Sequence, residues 1–231
     1  MKININLNLF IRLLLWLETG QWCADPIYPN LKELFLQART KARQEDPLPQ
    51  KLCGVTVSDL RAYLSGYYGR PGANEADAEQ LMRLNYDDWC RLLDWTIWSP
   101  LECNRMPFES MALAVADMAL EQGAELTART LQELLNGLLS LDKRRRPLKP
   151  VEVTGEMDKP TLHLLRFAAN NSVRADIIVN GLLKKRRDLL QEAMEEEWIG
   201  PVEAEKRLNR YLKLVDILLM NEQEEEEKNY P

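Results

Sequence analysis

VRADIIVNGLLKKRRDLLQEAMEEEWIGPVEAEKRLNRYLKLVDILLMNE, Val173 to Glu222, is the stretch whose reading decides the fold class. Val173 to Trp198 and Pro201 to Glu222 each place apolar residues at helical spacing, and only Ile199-Gly200 lies between them. Two long helices joined by so short a turn fold back as an antiparallel pair. Ile178, Leu182, Leu189 and Ala193 form one stripe, with Val179, Leu183, Leu190 and Met194 beside it, and Ala204, Leu208, Tyr211, Val215 and Leu218 form the facing one. A doubled stripe is wider than the seam a single neighbour covers. Ile178, Leu182, Leu183, Leu189, Leu190, Leu208, Tyr211 and Val215 are therefore the candidate partner-binding residues. Lys184, Lys185, Arg186 and Arg187 interrupt this stripe for a full turn, so at least one of them is expected to pack its stem near the seam with its head turned outward. Glu222 and Glu224 to Glu227 supply the opposite sign, within reach if the pair folds back.

Upstream, the chain reads as helices throughout. Ile3, Ile5, Leu7 and Leu9 alternate with polar residues, as a short strand or the entry to a helix, before the apolar run Phe10 to Leu17. Arg12, Glu18 and the lack of a small-residue cleavage site favour a buried first helix over a signal peptide. Leu31, Leu34, Phe35 and Ala38 share one helical face ended by Pro47 and Pro49, and Ser58 is placed to cap the next helix, with Leu60, Tyr63, Leu64 and Tyr67 on its buried side. Glu75 to Leu84 and Tyr86 to Trp98 read as helices hinged at Asn85 and closed by Ser99-Pro100. Pro107 suits a first helical position, and a further helix is expected from about Thr127. Lys143 to Pro160 is a linker or extended loop with one short strand at Val151 to Val153.

The resulting domain plan is an aromatic-rich helical domain over 1–106, a helical hairpin over 107–146 and a linker over 147–160. C-terminal helices over 161–222 and an acidic tail over 223–231 complete it. The fold class is all-α. With 45% apolar residues and six Trp in 231 residues, the chain can fill a substantial core.

ADMALEQGAELTARTLQELLNGL resembles the helix-turn-helix motif at Ala119, Gly123, Leu126, Thr127, Thr130 and Leu131, with a turn of the length seen in winged-helix relatives. That resemblance implies a recognition helix from Thr127 to Leu141, with Arg129, Gln132 and Asn136 facing a DNA groove and Arg144, Arg145 and Arg146 on phosphates. The plainer reading is a helical hairpin whose Ala and Gly residues allow close packing. A net charge of −6 removes the argument for a chain whose whole surface attracts nucleic acid or anionic lipid.

Chemistry is sparse. Cys23, Cys53, Cys90 and Cys103 are scattered and His163 is the single histidine, so a Cys/His zinc site has little to be built from. Reduced thiols in a cytoplasmic protein are the simplest reading. Asp87, Asp88 and Asp94 share a segment but lack an evident acid, base or metal partner, and no nucleotide-binding, nucleophile-elbow or zinc-protease motif is present. The expectation is a non-enzymatic adaptor or structural subunit without cofactor or metal, meeting other proteins or itself through apolar helix faces and not through membranes. A DNA-binding regulator using 108–146 is the alternative.

Overall fold

The computed structural model describes the backbone of residues 5–21, 29–67, 69, 75–141, 149–169 and 172–229. Helices dominate, as the periodicity predicts, and the chain packs as two units. The first comprises residues 1–104 with 119–124, the second 105–118 with 125–231.

In the first unit, α1 (Ile5–Thr19) and α2 (Pro29–Glu45) pack on each other. Ile5, Leu7 and Leu9 of the alternating start are thus helical, and Ile3 lies outside the described residues. Phe10, Ile11, Leu13, Leu14 and Leu15 are all buried, because a run that is apolar on every side has no face to give to water. Each such side chain contributes about 1.5–3 kcal/mol through burial. The face of α2 falls as its spacing requires, with Leu31, Leu34, Phe35 and Ala38 all buried. Phe35 stacks on Trp89 at 5.0 Å, and Phe10 stacks on Trp98 at 5.5 Å.

A two-stranded hairpin follows, β1 (Lys51–Leu52) and β2 (Val55–Thr56), turning through Cys53 (φ 44°) and Gly54 (φ 91°). Positive φ at both central residues is the tight-turn geometry that matches strand twist. A Cβ on Gly54 would lie 2.8 Å from a methyl of Leu120, and Lys51 Nζ lies 3.3 Å from Glu121 Oε1. Thr56, rather than Ser58, caps α3 (Val57–Gly66): its hydroxyl accepts from the Asp59 amide while Asp59 accepts from the Thr56 amide. Leu60 and Tyr63 are buried, whereas Tyr67 lies beyond the helix end, exposed and stacked on Tyr63 at 5.2 Å.

Asp77 caps α4 (Ala78–Met82) and Asn85 caps α5 (Tyr86–Leu93), so the hinge falls where the sequence places it. The last turn, Asp94–Trp98, widens to π geometry and ends with the Ser99 amide donating to the Asp94 carbonyl. Asp87, Asp88 and Asp94 are occupied locally, by Lys32, by Asn85 and Arg91, and by Ser99.

Burial pushes the Cys90 thiol up to about 12, and it raises Cys103 as well. A thiol with that value is ionised to only about one part in ten thousand at pH 8. Native protein at pH 8 is accordingly expected to leave Cys90 and Cys103 unalkylated by iodoacetamide over hours, while urea-unfolded protein reacts within minutes; peptide mass mapping reads the difference.

α6 (Glu109–Gln122) starts two residues after Pro107 and crosses the unit boundary in sequence. Every residue from Met111 to Leu120 is buried. Gly123, at φ 83°, is the whole connection to α7 (Ala124–Leu141), which begins earlier than Thr127. Thr130 therefore lies inside the helix and its hydroxyl donates to the Leu126 carbonyl.

In the second unit, Asp158 caps α8 (Lys159–Ala168), with Pro160 in the first turn. α9 (Ser172–Glu195) and α10 (Pro201–Asn229) pack on each other across a short connection.

Candidate functional site

Asp117 is the one charged residue in the buried run of α6, and a carboxylate without water must find cations. It finds two. Its Oδ2 pairs with Arg186 of α9, and its Oδ1 accepts from Arg210 Nη2 of α10 at 3.1 Å. Arg186 also lies 5.8 Å over the ring of Tyr211, within cation–π reach. The basic turn is thereby divided: Lys184, Lys185 and Arg187 stay exposed, while the head of Arg186 turns inward, opposite to the expectation of an outward head. Burying Asp117 is what reverses it. The terminal glutamates' side chains lie outside the described residues.

The face of α7 carrying Arg129, Gln132 and Asn136 is a single face, but it holds the chain's own loop. Asn136 forms a pair of bonds with Val151, donating to its carbonyl at 2.8 Å and accepting from its amide at 2.9 Å. Arg129 donates to the Val153 carbonyl at 3.0 Å. Gln132 is fully buried; its amide nitrogen donates to the Glu156 carbonyl and to the Thr161 and Thr154 hydroxyls, and its oxygen accepts from the Gly155 amide at 3.0 Å. Residues 151–156 thus form no strand, and several of their backbone groups are satisfied by α7 side chains instead. Gly155, at φ 86°, brings the loop so close that a Cβ would meet Glu125 Cγ at 2.7 Å. The three residues assigned to a groove are engaged with the chain's own loop instead, and the single-residue turn at Gly123 is not the long turn of that resemblance. Arg144, Arg145 and Arg146 lie outside the described residues.

The partner-binding residues divide between core and surface. Ile178, Leu182 and Leu183 are buried in the second unit and so leave the candidate docking face. α9 comes close enough that a Cβ on Gly181 would lie 2.7 Å from a methyl of Leu134 on α7. Leu189, Leu190, Tyr211 and Val215 are half-buried, and Leu208 is exposed. From Arg187 to Glu195 no residue of α9 is buried.

The most exposed apolar groups in this region sit at the connection itself, outside the predicted partner-binding stripes. Trp198 is 68% exposed and Val202 70%, with Met194 nearby on the last turns of α9. Their signal was the interruption of the stripe by large apolar residues at a turn, where polar residues are the rule.

Among the described residues no group of three or more His, Cys, Asp or Glu is placed to hold a metal ion, and no helix is long and apolar enough to cross a membrane. No protein-family model matches the chain, and no curated protein is similar to it in sequence. Among solved structures, that of SagA from Brucella abortus is similar: TM-score 0.51, 18% identity, covering 82% of this chain and 95% of that one. The two share a fold. At this identity the likeness speaks for the helical architecture alone.

Proposed function

We propose that this chain is a non-catalytic helical adaptor or structural subunit of a cytoplasmic protein assembly, binding its partner through α9, α10 and the connection between them. One observation carries the reading. Of the eleven exposed large apolar side chains among the described residues, seven fall between Val173 and Leu212: Val173, Ile177, Met194, Trp198, Val202, Leu208 and Leu212. Scattered exposed apolar residues are ordinary on a monomer, whereas a concentration on one pair of elements marks an interaction surface.

The buried Asp117 cluster supports the same reading from beneath. It fixes α9 and α10 to α6 within the second unit, so the exposed groups are carried on a held scaffold.

Val202→Asp together with Leu212→Asp tests the proposal. Both residues are exposed, so unfolding stability is expected to change by no more than about 0.5 kcal/mol. The complex recovered with the full-length chain, sized by native mass measurement, is expected to be lost. Retention of the same complex by the doubly substituted protein would remove the proposal.

A further inference from the structure

We infer that the apolar tip of Met194, Trp198 and Val202 docks a basic amphipathic segment of another protein, in which Lys or Arg residues flank an apolar anchor. The inference rests on the binding role proposed above and names the chemistry of the partner.

The tip has a defined backbone. The Trp198 amide donates to the Ala193 carbonyl at 3.0 Å and the Ala204 amide to the Gly200 carbonyl at 2.9 Å, closing the turn on both sides of the Trp198 side chain. An aromatic anchor carried on a backbone already fixed leaves less of the chain to order on binding. Trp is also the residue type that most often dominates interface energetics.

The surroundings choose the partner. Between Arg187 and Lys206 the chain contains no Lys or Arg, but it contains Asp188, Glu192, Glu195, Glu196, Glu197, Glu203 and Glu205, all exposed. Asp188 pairs with Arg187 at 3.3 Å and Glu203 with Arg207 at 2.7 Å, which removes two of these charges. Glu195 accepts from the neutral amide of Gln191, which brings it no opposite charge. Among the described residues no ion pair neutralises Glu192, Glu195, Glu196, Glu197 or Glu205. An apolar centre inside a charged rim is the anatomy of a protein interface, and the sign of the rim selects a cationic partner. Phosphate backbones and anionic lipid surfaces carry the same sign as the rim and are repelled.

The test titrates the full-length chain into a fluorescein-labelled helical peptide of Leu and Lys at heptad spacing, with a Leu and Glu peptide of the same pattern beside it. The Leu/Lys peptide is expected to bind, more weakly as salt rises, and the Leu/Glu peptide is not. Trp198→Ala is expected to weaken binding about tenfold or more. The combined Glu195→Gln, Glu196→Gln and Glu197→Gln variant is expected to weaken it and flatten its salt dependence. Circular dichroism equal to the parent chain confirms that these exposed substitutions leave the fold intact. If the triple variant binds as the parent does, or if both peptides bind equally and both are lost with Trp198→Ala, the basic partner is overturned while the docking tip stands. If Trp198→Ala with Val202→Ala changes neither peptide's behaviour, the tip itself is overturned.

Discussion

Replacing Asp117 with Ala is expected to lower folding stability by about 3–5 kcal/mol, because it strands two guanidinium groups in the interior without their anion. Arg186 is almost fully enclosed and Arg210 nearly so, and both pair with Asp117. The loss is large against the roughly 5–15 kcal/mol by which domains are ordinarily stable. In urea the midpoint should fall with little change in slope, the sign of altered stability rather than an altered unfolded state. Hydrogen exchange should show α10 losing protection first, since between 201 and 216 only Ala204 and Leu214 are buried. The converse experiment separates charge burial from packing. Asp117→Leu with Arg186→Met and Arg210→Met removes the whole cluster for apolar groups, and is expected to be far milder than Asp117→Ala, even neutral. A single substitution costing less than about 1 kcal/mol would show that water reaches the cluster and that the pairing is of the weak surface kind.

The second large effect is expected at Gln132. Its side chain serves the Gly155 amide, the Glu156 carbonyl and two hydroxyls at once, so Gln132→Ala removes one residue and leaves several polar groups without partners. A cost of about 2–3 kcal/mol follows from the penalty for unsatisfied buried groups. Gln132→Glu provides the discriminating control: it keeps the oxygen that accepts from Gly155 but replaces the donor with an acceptor facing the Glu156 carbonyl, and it buries a charge. It is therefore expected to be as damaging as the Ala variant or worse. Cleavage by a protease within 149–158 should accelerate in both, because the segment's backbone is held chiefly by α7 side chains. If cleavage there is unchanged while stability falls, Gln132 matters only to the core and not to the loop.

What the sequence made legible was whatever is local. The face of α2, the hinge at Asn85, the stop at Ser99-Pro100 and the proximity of α9 and α10 each depend on residues a few positions apart, and each has a spacing or a breaker as its signature. The hairpin at 51–56 escaped because strands of two residues carry no periodicity, and only the Cys53-Gly54 turn marked it. Tyr67 read as a buried member of a helical stripe that the chain leaves just before reaching it. Partners far apart in sequence were illegible in principle. Arg186 looks like any residue of a basic turn until Asp117 is known to lie beneath it, and Asn136 looks like a groove-reading residue until Val151 is found in its grip. One clue was nevertheless present: in SMALAVADMAL a single acid stands in an otherwise apolar run, and such an acid must be neutralised from elsewhere. The doubled stripe of α9 misled in the other direction, because width alone does not say which half is covered.

The passage of the chain through its two units has a practical consequence for dissecting the protein. Leu120 and Glu121 belong with the hairpin at 51–56, although the residues just before and after the 119–124 segment belong to the other unit. The polypeptide thus leaves the first body, returns to it for one short visit, and leaves again. No single scission yields both bodies whole. A fragment ending at Asn104 would leave the Gly54 turn facing empty space where Leu120 should sit, so separating the halves calls for a rearranged gene that splices 119–124 back onto the amino-terminal piece.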